Sequence, residues 1–215
     1  LWERAYQNAY KPFLSLLNNH HRISAVLYYC GSLFEWLEES HPEFLMLLRE
    51  MVKRKQVELL GGGFYSPILS LIPDADKLGQ IEKLTTYLRT KFGLRPRGGW
   101  LAERVWEPVL AKILRNSGLE YTFLDDRSFY LAGVAQGECL GSYLTEEQGK
   151  TVSIIPLKSS LAERFPYCQP EELLQELKDL AGEDCLSALL LPGERLGDHE
   201  GTHQICYREP VSYTH

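Results

Sequence analysis

Apolar positions along this chain recur with two alternating periods. Trp2, Tyr6, Ala9, Tyr10, Phe13 and Leu17 fall at helical spacing, so residues 2–19 are predicted to form an amphipathic helix. An apolar, β-rich run closed by Gly31 predicts a strand over 23–30. Helical spacing returns over 32–54, with Pro42 near the start of its second half, where proline is tolerated. A short buried strand over 57–60 runs into Gly61-Gly62-Gly63. Asp74 opens a long helix to Phe92, with Gly93 as its C-terminal stop. Strands over 97–101 and 121–124 flank a helix over 108–117, and a glycine-rich stretch over 130–150 reads as irregular. The pattern closes with a strand over 152–156, a helix over 170–181 and a strand over 186–191. Glu171 and Glu172 complement the positive N-terminal end of that last helix.

Short strands that are apolar on both faces and separated by long helices predict parallel strands joined by helical crossovers. A closed barrel and an open doubly wound sheet both satisfy this order. No phosphate-cradling glycine fingerprint follows the first strand, which argues against dinucleotide binding. The 215 residues suit a single domain, residues 1–215. The chain opens at Leu1 inside a helical pattern, which predicts further sequence upstream.

Net charge of -6 with no basic stripe argues against nucleic-acid binding, which rests on phosphate neutralisation. No apolar run approaches the length of a membrane span, so no membrane association is expected. The odd number of cysteines, Cys30, Cys139, Cys168, Cys185 and Cys206, contains no Cys-x-x-Cys pair. Free thiols in a reducing, cytoplasmic compartment are the expectation.

Active sites of parallel-stranded folds collect at the C-terminal ends of the strands. Those ends here carry aromatic and acidic residues: Phe64 and Tyr65 after the second strand, Trp100, Glu103 and Trp106 around the third, and Asp125 and Asp126 after the fourth. Aromatic faces stack on sugar rings, and a pair of carboxylates can cleave a glycosidic bond. Glu103 is therefore the candidate reactive carboxylate. The same residues also fit a structural role, with Glu103 paired to Arg104 or another base and the two tryptophans filling core. A competing motif is His199-Glu200-Gly201-Thr202-His203, which matches the zinc-hydrolase pattern His-Glu-x-x-His. Gly201 lies inside the helix that such a site requires, and no long apolar helix surrounds it, so no metal is expected there.

Residues 58–67, 80–86 and 99–108 together resemble glycoside hydrolase family 57, and 3–14 and 120–126 look similar too. The resemblance is collinear over nearly the whole chain. It implies a (β/α)7 barrel, a distorted relative of the TIM barrel, here lacking its first strand and C-terminal region. It further implies a retaining hydrolase or 4-α-glucanotransferase acting on α-1,4-glucans and maltooligosaccharides, with no obligatory organic cofactor. Glu103, in Trp-Leu-x-Glu-Arg-x-Trp, takes the nucleophile's place, and Trp100 a place lining the sugar site. Phe64, Tyr65, Trp106, Asp125 and Asp126 are expected to contact substrate. Three positions depart from the pattern. Pro192 stands where an acid/base aspartate precedes the Gly-Glu-Lys-Phe-Gly-like segment, here Gly193 to Gly197. Ser66 replaces a glutamate usual in glucanotransferases, and Tyr28 a frequent histidine. A catalytically impaired homologue that binds glucan, or has a regulatory role, is the alternative these departures imply.

Overall fold

The computed structural model describes residues 1–135, 139–165, 167–168, 170–179, 186 and 188–197. The N-terminal helix is continuous but changes pitch: α1 (Trp2–Ala5) passes into a π-helical segment, Tyr6–Tyr10, and then α2 (Lys11–Asn19). Strand β1 (Ala25–Leu27) follows. The helical stretch expected over 32–54 is two helices, α3 (Gly31–Ser40) and α4 (Pro42–Lys53). His41 between them leaves helical geometry, at φ -140° and ψ 59°, because a proline cannot donate a helical bond and disfavours the helical region for its predecessor.

Strands β2 (Val57–Leu59) and β3 (Gly61–Gly62) are two halves of one extended run. The first half pairs with β1, and Leu60 N–H donates to Leu27 O at 2.9 Å where the run changes partners. The second half pairs in parallel with β4 (Gly98–Trp100). Helix α5 (Asp74–Phe92) carries Asp74 and Asp76 in its first turn and Arg89 and Lys91 in its last, each matched to the helix dipole. It stops at Gly93, whose φ of 69° suits glycine in the left-handed cap. Helix α6 (Val109–Asn116) leads to β5 (Tyr121–Asp125), which pairs in parallel with β4. Short helix α7 (Asp126–Leu131) follows without a break.

The stretch expected to be irregular holds β6 (Tyr143–Glu147), antiparallel to β7 (Lys150–Leu157). Gln148 and Gly149, at φ 52° and 76°, make the two-residue hairpin turn. The other side of β7 pairs in parallel with β5 over Tyr121–Asp125. Helices α8 (Ser159–Arg164) and α9 (Pro170–Asp179) complete the described regular elements, with a short 3-10 turn at Gly193–Leu196. The strand expected over 186–191 is reduced, among the described residues, to one parallel bridge, Leu157 to Ala188.

The outcome is an α/β fold with a two-stranded parallel sheet and a five-stranded mixed sheet in the order β3-β4-β5-β7-β6. The α/β class is as expected; among the described residues the strands do not close into a barrel. β1 pairs on one side only, and beyond β7 the parallel pairing consists of that single bridge.

The parallel strands bury apolar side chains on both faces from β3 onward, while β1 and β2 expose Val26 and Glu58 on one side. One face meets the helices. Leu59, Leu48, Met51 and Phe34 form its first cluster, and Leu110, Leu114, Leu124 and Ile154 a second. The opposite face gathers Leu60, Phe123 and Leu157, with Tyr28, Trp100 and Tyr121 packed against them. Gly98 makes this packing possible, since a Cβ there would sit 2.3 Å from the Tyr121 ring. The strand ends that carry the candidate chemistry open from this aromatic face.

Candidate active site

Trp100 is the last residue of β4, half-buried, its ring centroid 6.0 Å from that of Tyr28 at the end of β1. Two residues beyond it the backbone turns sharply. Glu103 and Arg104 have φ of 52° and 54°, left-handed values that cost a non-glycine residue roughly 1–3 kcal/mol each. Such strain concentrates at functional turns. The turn leaves the Glu103 side chain exposed, with no hydrogen bond to any described residue. Arg104 does not pair with its neighbour. Its Nε donates to Asp125 Oδ2 at 2.8 Å, and its guanidinium carbon lies 5.9 Å from the Trp100 ring centroid. Asp125 is the last residue of β5, so the ion pair ties the ends of two adjacent strands together.

Tyr28 completes this mouth. Its hydroxyl donates to Gly63 O at 3.0 Å and lies 2.7 Å from the Ser66 hydroxyl. Burial pushes the Tyr28 phenol up to about 12, so it stays neutral and a donor at physiological pH. Ser66 also has a left-handed φ, 50°. Gly62, at φ 148°, brings the β3 backbone against Trp100, where an added Cβ would meet Trp100 O at 2.7 Å. The close approach fixes the tryptophan's strand beside the Gly63–Ser66 turn.

The structure therefore brings Trp100, Glu103 and Asp125 together, and adds Arg104, Tyr28 and Ser66 to them. It does not bring in the others. Phe64 is 2% exposed within the helix-side core, its ring capped by the Lys83 ammonium at 4.0 Å. Tyr65 is exposed, with its hydroxyl bonded by Lys83 and its N–H donating to Gln80 Oε1 at 3.0 Å. Trp106 packs against the helix-side cluster of α6. Asp126, 5% exposed, accepts hydrogen bonds from Tyr130 Oη at 3.1 Å and from Ser159 N–H at 3.4 Å. The second bond joins α7 to the start of α8.

Pro192 precedes the 3-10 turn and brings no ionisable group there. The next acid, Glu194, accepts a hydrogen bond from Tyr10 Oη on the π-helical segment. Burial first, and then Glu194, push the Tyr10 phenol well above its ordinary range. Gly197 seats the segment, since an added Cβ would collide with Asn8 O. Glu194 is thereby committed to the N-terminal helix. Asp198, His199, Glu200 and His203 lie outside the described residues, as do Cys185 and Cys206. Among the described residues no cluster of His, Cys, Asp and Glu side chains could hold a metal ion. No described helix is long and apolar enough to cross a membrane.

Alpha-amylase 1 of Dictyoglomus thermophilum is 41% identical over 209 residues, spanning 96% of this chain and 30% of the amylase. 4-alpha-glucanotransferase of Thermococcus litoralis is 36% identical over 211 residues, spanning 97% of this chain and 32% of the transferase. The crystal structure of the latter matches with a TM-score of 0.92 over 97% of this chain and 33% of that one. An exo-type maltose-forming amylase from Pyrococcus sp. ST04, 14% identical, matches at TM-score 0.69 over 91% of this chain and 36% of that one, and shares the fold. The chain thus spans about one third of the length of the curated relatives it matches. A model of glycosyl hydrolase family 57 matches residues 1–209, and the chain belongs to that family.

Proposed function

We propose that the protein acts on α-1,4-glucans by a retaining mechanism, as hydrolase or 4-α-glucanotransferase, with Glu103 as nucleophile. The observation that carries this reading is the Glu103 carboxylate itself. It stands exposed on a strained turn beside the Trp100 ring, bonded to no described residue, in a chain of family 57. Its oxygen would attack the anomeric carbon of a glucose unit stacked near Trp100 and expel the next sugar's oxygen. Water or another glucan hydroxyl would then release the glycosyl group from Glu103. Maltooligosaccharides are the expected partners. The free thiols of Cys30, Cys139 and Cys168 accord with a reducing, cytoplasmic setting. Residues 1–215 form part of a single barrel domain in this reading.

Pro192 favours a second reading, a homologue that binds glucan with little turnover. Loss of the group that protonates a leaving oxygen costs about 10²–10⁴-fold in rate. Glu194, tied to Tyr10, is held away from that task. An α-glucoside with an activated aryl leaving group needs little protonation and separates the readings. Turnover or covalent labelling that is abolished in Glu103→Gln supports the nucleophile. Binding of maltooligosaccharides without turnover of either substrate supports the second reading and refutes the first.

A further inference from the structure

We infer that Arg104 is a positioning residue, which acts through Asp125 to aim the carboxylate of Glu103. The inference rests on the reading of Glu103 as nucleophile. The ladder between β4 and β5 runs only through Gly98–Tyr121 and Gly99–Thr122. Beyond it β5 continues to Asp125 while the β4 chain leaves through Trp100 into the strained turn. No backbone ladder holds the turn against β5. Within the turn, Arg104 N–H donates to Leu101 O at 3.0 Å, but Val105 N–H reaches Ala102 O only at 3.4 Å. The Arg104 side chain supplies the missing strut. Its Nε bond to Asp125 anchors the turn to the neighbouring strand end, and its guanidinium lies toward the Trp100 ring.

Two consecutive left-handed residues persist only where the surroundings over-determine them. Glu103 contributes no bond to that restraint, so its direction is set by its neighbour. Arginine suits the task because its planar fork fixes direction as well as distance, which a lysine ammonium does not. Each partner is about one-third exposed, at 34% and 33%, so water screens the pair. Its consequence is geometric: a displacement of about 1 Å at a reacting group can cost about a hundredfold in rate.

The test uses the intact protein with an activated aryl α-glucoside. Asp125→Ala and Arg104→Lys should lower kcat by about ten- to a hundredfold. KM and the melting temperature should hold. Asp125→Asn, which keeps an acceptor oxygen, should retain more activity than Asp125→Ala. A rise in KM at constant kcat would make Asp125 a substrate contact and overturn the inference, as would unchanged kinetics. If the parent protein neither turns over nor labels, the nucleophile reading fails. Amide hydrogen exchange over residues 101–106 then decides the strut separately. Faster exchange in Asp125→Ala supports the strut, and exchange equal to the parent refutes it.

Discussion

Phe64 offers a direct test of how the strand-end aromatics divide between core and groove. Its ring is 2% exposed and lies against the backbone of Gly31, where an added Cβ would sit 2.3 Å from three ring carbons. Tyr65 and Tyr87 meet it edge-on, at centroid distances of 4.9 and 6.3 Å. Burying such a ring contributes roughly 1.5–3 kcal/mol. The void left by removing it adds a cavity term, so Phe64→Ala should destabilise the protein by about 3–5 kcal/mol. Gly31→Ala attacks the same contact from the other side and should cost about 1–3 kcal/mol through overpacking. Joined to Phe64→Leu, the added methyl gains room, so the double variant should lose less than the sum of the single losses. Urea denaturation gives all three values, and Phe64→Leu keeps the comparison possible if the alanine variant fails to fold. Maltooligosaccharide affinity of Phe64→Leu, measured well below its melting temperature, should equal the parent's. A Phe64→Leu protein of parental stability with lost glucan affinity would refute the core assignment.

Three further outcomes follow from the structure. Lys158 is 7% exposed and forms no ion pair among the described residues, so Lys158→Met should leave stability in urea denaturation equal to the parent's or higher; a loss would show the ammonium to be in use. His41 bridges Glu3 at 2.9 Å and Glu43 at 3.3 Å, and both carboxyls lie below their ordinary range, Glu3 chiefly through Gln7 and Glu43 chiefly through its own backbone N–H. A depressed carboxyl adds stability above its unfolded pKa and loses it as pH falls through the folded value, so acid unfolding of Glu3→Gln/Glu43→Gln should be shallower than the parent's below about pH 4.5, and identical profiles would refute the assignment. Gly62→Ala places a methyl 2.7 Å from Trp100 O at a φ of 148°, so it should lower both the melting temperature and maltooligosaccharide affinity; a parental melting temperature would show that β3 can shift away from Trp100.

Much of the fold was legible because its signals are local. Helix α5 is bounded by Asp74 and Gly93, and both ends are set by residues within one turn of them. The strand runs at 57–60, 97–101 and 121–124 are short and rich in apolar residues, which crossover packing favours wherever they sit in the sheet. What escaped was set by pairing. Strand β6 alternates half-buried and exposed positions, and its partner is reached through Gln148-Gly149. Glutamine is unusual at a left-handed turn position, so the hairpin carried no strong turn signature. The break at His41 was present in the sequence as Pro42, whose effect on its predecessor outweighs the helical periodicity running through it.

The site divides along the same line, which bears on what Pro192 means. Glu103 could be picked out from its own heptapeptide, because a strand end next to two tryptophans is a local property. Its surroundings come from partners distant in sequence: Arg104 and Asp125 are 21 residues apart, Tyr28 and Ser66 are 38, and Tyr10 and Glu194 are 184. One of these contacts joins two positions where the chain departs from the family pattern. Tyr28 and Ser66 depart together and bond to each other, so a neutral hydroxyl pair stands where ionisable side chains were expected. Among the described residues Pro192 has no such compensating partner. The acid nearest to it in sequence, Glu194, is held by a tyrosine of the N-terminal helix. On the proposed reading, the Tyr28–Ser66 pair would bear on how the sugar is held rather than on breaking the bond. On the proposed reading, proline in place of the acid/base carboxylate removes the leaving group's proton donor, so activity should depend on the leaving group far more than on the sugar.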